Sequence, residues 1–336
     1  MTAEAPRKRW RRVAAIAAVA VVLLILVVPL LWPVPPLEDT FPPERLADED
    51  SRFVEVGDVT LHYKTWGIDA DETGADTPVA FVLLHGFGAS TFSWESVAPR
   101  LSETLPVLAF DRPGFGLTER PLEWEGPHPY SPETQADLTV ELMDRLGIGK
   151  AILVGHSAGG TVAALVATRH PERVEAVILE DPAIYAGGPP RFLTPLFRTP
   201  QLMRMGPLLV RGLGGEAGDR FIRSAWYDPS AIPEKTFDGY RVPLQAQDWD
   251  TALWLLTVAP RPRDVPGIVA TIEAPTLFIT GSDDTIVPPQ DTARAADLVE
   301  GSYLVTIERT GHIPHEERPD RFFEAVIGFL GERGLR

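Results

Sequence analysis

One short stretch near the middle of the chain combines residue types that could perform nucleophilic chemistry. It runs from Ile152 to Gly160 and contains the pattern Gly-x-Ser-x-Gly, with Ser157 at its centre. The apolar residues before the pattern predict a buried strand, and residues 161–170 predict a helix. A serine held in a sharp strand-to-helix turn projects its hydroxyl out of the sheet, as a nucleophile requires. An ordinary Gly-rich turn would show the same five residues, so Ser157 needs partners.

A serine hydroxyl is a weak nucleophile at neutral pH and needs a base, usually histidine. Among the seven histidines, His312 is the best candidate because it follows the last predicted strand, at the sheet edge where ligands bind. His315 is the alternative base. His85 precedes a Gly-rich loop and is expected to orient that loop. The remaining histidines are expected to be structural or solvated: His62, His128, His156 and His170.

An acid must hold the imidazole in the right tautomer and orientation. Asp283 and Asp284 follow the strand predicted to end at residue 280, again at the carboxyl edge of the sheet. Glu180 and Asp181 follow another predicted strand at the same edge and are the second choice.

The developing oxyanion needs backbone N–H donors. In a turn of this type, one donor comes from the residue after the nucleophile, Ala158, and the other from the loop after an earlier strand, at Phe87. Gly86 and Gly88 on either side of Phe87 would let that backbone approach the reacting carbonyl.

Composition excludes several other classes of site. The chain has no cysteine, which excludes disulfides, thiolate catalysis and Cys-ligated zinc. No Gly-x-Gly-x-x-Gly run opens a helix, so a dinucleotide is not expected. Asp283 and Asp284 alone do not form an organised set of metal ligands, and we expect no metal and no other cofactor. The formal net charge of −16 disfavours nucleic acid as a partner, and no obligate protein partner is evident.

The N-terminus has the pattern of a membrane anchor. Residues 1–12 hold five Lys or Arg side chains, and residues 13–32 are uncharged and long enough to cross a bilayer core of roughly 30 Å. The basic segment places the N-terminus in the cytoplasm and the rest of the chain outside the membrane. A cleaved signal peptide is the alternative, although its apolar part is normally shorter; a twin-arginine signal is weaker still. Residues 33–50 are Pro-rich and are predicted to be an extended spacer.

Strands and helices alternate in residues 51–183 and 266–336, which predicts a mainly parallel, doubly wound sheet. A hairpin at Gly57-Asp58 adds an antiparallel edge. Residues 184–265, rich in Pro, Gly, Arg and aromatic residues, are predicted to be inserted helices. Strands are predicted over residues 53–56, 60–66, 79–84, 106–110, 151–154, 174–179, 276–280 and 303–307. Helices are predicted over residues 92–105, 131–146, 161–170, 289–299 and 320–330.

Five motifs, in this order, resemble the α/β-hydrolase superfamily, in particular its branch of esterases, carbon–carbon bond hydrolases, cofactor-free haloperoxidases and epoxide hydrolases. They are Leu84-His85-Gly86-Phe87-Gly88, residues 111–116, residues 154–160, residues 281–288 and Gly311-His312. The resemblance covers about residues 52–333 and implies an eight-stranded α/β-hydrolase sheet, with residues 184–265 as a cap over the active site. In similar members the acid stands three residues after the glycine of a Gly-x-x-Asp motif, which corresponds to Asp284. Because Ser157 occupies the nucleophile position, the resemblance argues against dehalogenase or epoxide hydrolase chemistry.

We therefore expect a membrane-anchored bacterial serine hydrolase whose catalytic domain lies outside the cytoplasm. Ser157, His312 and Asp284 would form the triad. The apolar residues of the cap would form either its core or a pocket for a small to medium hydrophobic ester. They are Phe192, Leu193, Leu196, Phe197, Leu208, Leu209, Trp226, Trp249, Trp254 and Leu255. Two alternatives stay open: hydrolysis of a carbon–carbon bond in a diketone-like compound, and a non-enzymatic ligand-binding envelope protein that retains the triad.

Overall fold

An eight-stranded sheet forms the centre of the computed structural model, which describes residues 4–68, 77–185 and 190–335. The strands are β1 (Arg52–Val56), β2 (Val59–Trp66), β3 (Thr77–Leu84), β4 (Val107–Phe110), β5 (Ile148–His156), β6 (Val174–Glu180), β7 (Thr276–Gly281) and β8 (Tyr303–Ile307). Their order is β1-β2-β4-β3-β5-β6-β7-β8. β2 is antiparallel to β1 and to β4, whereas the other neighbours are parallel. The predicted parallel sheet with an antiparallel edge is confirmed.

The helices lie on both faces of the sheet, in the segment inserted between β6 and β7, and at the N-terminus. They are α1 (Glu4–Leu31), α2 (Ala98–Leu101), α3 (Pro132–Arg145), α4 (Ala158–Arg169), α5 (Thr194–Phe197), α6 (Pro200–Val210), α7 (Glu216–Ser224), α8 (Glu234–Arg241), α9 (Trp249–Val258), α10 (Val265–Val269), α11 (Pro289–Ala296), α12 (Pro314–Glu317) and α13 (Pro319–Arg333). One buried layer contains side chains of α3, α4, α10 and α11, and the other contains Trp94 and side chains of α2 and α13. Ile152 and Val154 of β5 pack in one layer and Leu153 in the other. Alternate residues of a strand point to opposite faces, so a strand covered on both faces has a continuous apolar sequence.

The helix predicted over residues 92–105 is wrong. The structure has a 3-10 turn at Thr91–Trp94 and the single-turn α2, separated by irregular backbone. Pro99 explains the break, because a proline inside a longer helix would lack the N–H that bonds to the carbonyl four residues earlier. Pro99 instead lies in the first turn of α2, where no such bond is needed.

The inserted segment between β6 and β7 is helical, and we call residues 184–265 the cap. A β-bridge joins Ala246 of the cap to Phe41 of the spacer. Trp226, Trp249 and Trp254 are buried, and Trp226 and Trp249 share clusters with Ile313 and Phe115 of the catalytic domain. By contrast, Phe192, Leu196 and Leu209 are exposed, so the expectation that the apolar cap residues line either a core or a pocket is wrong for these three.

The N-terminal segment forms the long helix α1. Within it, Trp10–Leu31 is long and apolar enough to cross a membrane, and none of it is buried in the protein. It is the one such helix in the part of the chain that the structure describes. Its C-terminal half lies beside α6 of the cap, where the Gln201 side chain donates a hydrogen bond to the carbonyl of Leu26 at 2.9 Å.

Candidate active site

Ser157 lies in the turn between β5 and α4 with φ of 51° and ψ of −117°. A positive φ is strained for a residue with a side chain. The flanking glycines allow the strain, since a Cβ at Gly159 would lie 2.0 Å from the carbonyl oxygen of Leu84, and one at Gly155 would lie 2.7 Å from the carbonyl oxygen of Gly159. Only glycine fits these close approaches of backbone to backbone. The strand, strained turn and helix have the geometry of a nucleophile elbow.

His312 and Asp284 are brought together from two loops at the carboxyl edge of the sheet. His312 Nδ1 lies 2.7 Å from Asp284 Oδ2, and both residues are buried. The other carboxylate oxygen, Oδ1, accepts hydrogen bonds from the N–H groups of Ile286 at 2.7 Å and Val287 at 3.0 Å. Asp284 is thus fixed by its own loop, while its second oxygen orients the imidazole. Nε2 of His312 is then available to accept a proton.

The loop that carries His312 is tied to the elbow and to the cap. His156 Nε2 lies 2.7 Å from the carbonyl oxygen of His312. Burial, together with the nearby His312 and His315, lowers the pKa of His156 well below its usual value. His156 is therefore neutral, and its Nε2–H donates to that carbonyl. On the other side, the N–H of His312 donates to the carbonyl of Ala225 in the cap at 2.6 Å.

The structure separates the four candidate acids. Asp283 is exposed and accepts from Ser282 Oγ at 2.6 Å, and Glu180 contacts His315 instead of His312. Asp181 lies beside Asp284, and one ligand atom each of Asp181, Asp284 and His312 lie within 4.8 Å of one another. Burial, reinforced by the Asp284 carboxylate, raises the pKa of Asp181 well above its usual value. Burial and the nearby carboxylate thus favour the neutral form of Asp181, while Asp284 orients the imidazole.

Two carboxyl groups and an imidazole could in principle bind a metal ion. Here their donor atoms are used within the protein. Asp181 Oδ1 accepts from Thr280 Oγ1 at 2.6 Å, and the oxygens of Asp284 accept from its own loop and from His312. An ion would have to break this set of hydrogen bonds, so the geometry fits an acid that orients a base better than a metal site.

The loop after β3 lies against the elbow. A Cβ at Gly86 would lie 2.7 Å from His156 Nδ1 and 3.2 Å from Ser157 Cβ, so the backbone before Phe87 passes directly beside Ser157. The Phe87 ring packs edge-on against Phe115 with centroids 5.6 Å apart. Gly88 has φ of 74°, which lets the chain turn away again.

His85 and Arg112 hold this loop in place. His85 Nδ1 lies 2.8 Å from the carbonyl oxygen of Gly86, and His85 Nε2 accepts from the N–H of Arg112 at 3.1 Å. Burial and the adjacent guanidinium lower the pKa of His85 to about 3, so the ring is neutral and donates from Nδ1. His85 thus contacts the carbonyl of Gly86 in this loop and the backbone of Arg112.

Arg112 is a supporting residue to which sequence reasoning assigned no role. Its guanidinium is buried and donates to the carbonyls of His85 at 3.0 Å and Gly86 at 3.3 Å, and to Gln135 Oε1 at 2.6 Å. Burial lowers the pKa of Arg112 to about 9. Its place in the motif of residues 111–116 could have indicated a role for Arg112. The motif does not show, however, which carbonyl groups the side chain contacts.

A second Ser–His–acid relay is buried next to His156 of the elbow. His315 Nε2 lies 2.7 Å from Ser93 Oγ, and His315 Nδ1 lies 2.8 Å from Glu180 Oε2. All three side chains are at most 1% exposed, so no substrate can reach Ser93. This assigns His315, the alternative base, to a structural relay. Sequence patterns carry no signal for it, because Ser93 and His315 are 222 residues apart.

A third relay, Ser51–His62–Asp111, lies near the antiparallel edge of the sheet. His62 contacts Asp111 Oδ2 at 2.7 Å and Ser51 Oγ at 2.9 Å. The hydroxyl of Ser51 donates to Asp48 at 2.8 Å, so its proton is not available to His62. The pair Asp284 and His312 is joined to the elbow by the hydrogen bond between His156 Nε2 and the carbonyl oxygen of His312.

The chain matches known proteins over most of its length. The family described as "alpha/beta hydrolase fold" matches residues 79–319. "Uncharacterized hydrolase YugF" of Bacillus subtilis (strain 168) is 29% identical over 250 residues, which are 74% of this chain and 89% of that protein. The "2-hydroxymuconate semialdehyde hydrolase" of Pseudomonas sp. (strain CF600) is 30% identical over 272 residues, which are 78% of this chain and 89% of that protein.

Solved structures show the same fold. The crystal structure of the enol-lactonase from Burkholderia xenovorans LB400 matches with a TM-score of 0.66 and 24% identity, over 83% of this chain and all of the other. The family match includes β3, the elbow, β7 and the His312 loop. The chain belongs to the alpha/beta hydrolase fold family and is an enzyme of the hydrolase class.

Proposed function

We propose that this hydrolase cleaves small to medium hydrophobic carboxylic esters through a Ser157 acyl-enzyme. The observation that carries the proposal is the strained serine at the end of β5, together with a buried imidazole whose Nδ1 lies 2.7 Å from Asp284. A nucleophile on an elbow, a base and an orienting acid are the components of acyl transfer.

The reaction begins when Ser157 Oγ attacks the ester carbonyl and His312 Nε2 takes the hydroxyl proton. Asp284 holds His312 in the required tautomer and stabilises the imidazolium that forms. The tetrahedral intermediate collapses as His312 returns the proton to the leaving alcohol. Water, deprotonated by His312, then attacks the acyl-enzyme, and the acid is released with Ser157 restored.

The N–H groups of Phe87 and Ala158 are the proposed donors to the oxyanion. Ala158 opens α4, so its N–H belongs to the first turn, where helical N–H groups have no partner within the helix. Gly86 places the Phe87 backbone beside Ser157. Neutral His85 and buried Arg112 hold the loop, which supports a donor position fixed before the substrate binds.

Carbon–carbon bond hydrolysis is the second candidate. One relative at 30% identity bears the name of a hydrolase of 2-hydroxymuconate semialdehyde. The same serine, base and oxyanion donors can act on an activated ketone, with a carbon leaving group in place of an alkoxide.

The proposal includes anchoring by α1, with the catalytic domain outside the cytoplasmic membrane. The basic residues before Trp10–Leu31 and the apolar, unburied character of the helix support this orientation. Retention of the full-length chain in carbonate-washed membranes, with the catalytic domain open to protease in spheroplasts, tests the anchor separately from the chemistry.

The activity is tested with p-nitrophenyl esters from acetyl to palmitoyl and with 2-hydroxymuconate semialdehyde, on the full chain and on Ser157→Ala. We expect Ser157-dependent hydrolysis of the esters, strongest at intermediate acyl length. Turnover of the semialdehyde alone would establish the second candidate. Saturable binding of apolar ligands without turnover of any compound would identify a binding protein and contradict the proposal.

A further inference from the structure

Three large apolar side chains of the cap point away from the protein. Phe192 is 80% exposed, Leu196 52% and Leu209 64%. They belong to the segment formed by the 3-10 turn at Arg191–Leu193, α5 and α6. We call these three residues the cap patch. Single exposed apolar residues are common on soluble proteins, whereas several of them in one segment beside a candidate membrane span indicate an interaction surface.

The segment that carries the cap patch lies beside the candidate membrane span. The side chains of Gln201, Arg204 and Arg211 donate to the carbonyls of Leu26 at 2.9 Å, Trp32 at 3.2 Å and Pro35 at 2.8 Å, respectively. The order of these contacts shows that α6 runs beside the end of α1 in the same direction.

The contacts with α1 indicate how far the cap extends into the bilayer. Leu26 precedes Trp32 by six residues, which at a rise of about 1.5 Å per residue is about 9 Å along the helix. If residues 13–32 span the bilayer, Gln201 at the start of α6 therefore lies about 9 Å inside the apolar layer. Leu196 lies at that end of α6, where its carbonyl accepts from the N–H of Thr199 at 3.1 Å.

Charge in the same segment fits a membrane surface. Residues 182–215 contain no Asp or Glu in a chain of net charge −16. They contain four arginines: Arg191, Arg198, Arg204 and Arg211. The exposed Arg204 contacts the Trp32 carbonyl, at the level where interfacial tryptophans and lipid headgroups meet. An apolar patch with a basic border is the composition that binds anionic bilayers.

We propose that Phe192 and Leu196 of the cap patch are inserted in the outer leaflet beside α1, with Leu209 at the membrane surface and Arg204 against anionic headgroups. The partner of this surface is a lipid bilayer. The same cap also contacts the His312 loop through Ala225. We therefore assign acyl esters dissolved in the bilayer as the substrate class of the site. The insertion rests on the proposed anchoring by α1, and the substrate part rests on the proposed ester hydrolysis.

The cysteine-free chain permits a direct depth measurement. Single cysteines are introduced by Leu196→Cys in the cap patch, Leu26→Cys in α1 and Lys235→Cys in α8, each in full-length Ser157→Ala protein. Lys235 is an exposed cap residue on a helix that is held to the catalytic domain by the Tyr240–Glu316 hydrogen bond of 2.5 Å. Each cysteine carries an environment-sensitive fluorophore, and the protein is reconstituted in vesicles that contain nitroxide lipids.

We expect lipid quenching at position 196 to approach that at position 26, with little quenching at position 235. Quenching at 196 should increase when phosphatidylglycerol is added to phosphatidylcholine. A probe at 196 as accessible to aqueous iodide as the one at 235, or an unquenched probe at 26, would overturn the insertion. Since the serine is absent from all three variants, the result stands whether or not the protein hydrolyses esters.

Discussion

The carboxyl group of Asp181 lies beside that of Asp284, and only Asp284 contacts His312 Nδ1, at 2.7 Å. The two acids come from the ends of the neighbouring strands β6 and β7. Burial and the nearby Asp284 raise the pKa of Asp181 well above its usual value, which favours the neutral form of Asp181, whereas Asp284 is the acid that contacts the base.

The two aspartates should therefore respond differently to the same substitution. In Asp284→Asn the imidazole loses its anionic partner, and we expect kcat to fall by about three to four orders of magnitude, as for the acid of other triads. Asp181→Asn keeps the shape of a buried side chain whose pKa is raised well above its usual value, and we expect kcat to change by less than about tenfold. Ester hydrolysis by both variants checks this, and near-normal activity of Asp284→Asn would transfer the acid role to Asp181.

Gly86→Ala should damage catalysis through the backbone. The new Cβ would lie 2.7 Å from His156 Nδ1 and 3.2 Å from Ser157 Cβ, so the loop must move and displace the Phe87 N–H. Loss of one oxyanion donor lowers kcat by about a hundred- to a thousandfold.

Gly328→Ala is the matched control for Gly86→Ala. Gly328 lies in α13 with no atom within 4 Å of an added Cβ, so the variant should keep its activity and gain up to about 1 kcal/mol in unfolding free energy. Equal kcat values for the two variants would show that the Phe87 loop does not act in catalysis.

Ser93→Ala should destabilise the protein and leave Ser157 reactive. The substitution removes the hydroxyl 2.7 Å from His315 Nε2 in a fully buried relay. A buried polar atom left without its partner costs about 1–3 kcal/mol. Urea unfolding measures the loss, and labelling by a fluorophosphonate shows whether Ser157 still reacts. Abolished labelling in a folded Ser93→Ala protein would contradict the structural role.

His85→Gln should make stability less sensitive to acid. The pKa of His85 is about 3 in the folded protein and about 6.5 in an unfolded chain. Between these values the unfolded state binds a proton that the folded state does not, so His85 costs stability as the pH falls from about 6.5 to about 3. The unfolding free energy of the wild type should therefore fall more steeply with decreasing pH than that of the variant. Parallel curves would show that His85 takes up its proton without unfolding.

Much of the sheet and of the catalytic constellation could be predicted from the sequence because their signals are local. Apolar runs such as residues 151–154 indicate strands buried on both faces. The glycines around Ser157 and Phe87 mark places where backbone approaches backbone, and the structure shows these contacts. One proline, Pro99, was overlooked, and its effect on the helix predicted over residues 92–105 was readable in principle.

The interactions that could not be predicted join distant parts of the chain. The Ser93–His315 hydrogen bond spans 222 residues, and the proximity of Asp181 to Asp284 depends on β6 and β7 being neighbours. Exposure of Phe192 and Leu196 also depends on the tertiary fold, since an apolar cap residue can lie in a core, in a pocket or on a surface. A sequence pattern gives the types of these residues but does not show which distant residues they contact.

The central claim, that Ser157 is the nucleophile, is tested most directly by active-site labelling. The full chain is treated with a fluorophosphonate, digested and analysed by mass spectrometry, in parallel with Ser157→Ala and Ser93→Ala. We predict a single adduct on Ser157 in the wild type, the same adduct in Ser93→Ala, and none in Ser157→Ala. Equal labelling of Ser157→Ala, or an adduct on another serine of the wild type, would contradict the assignment.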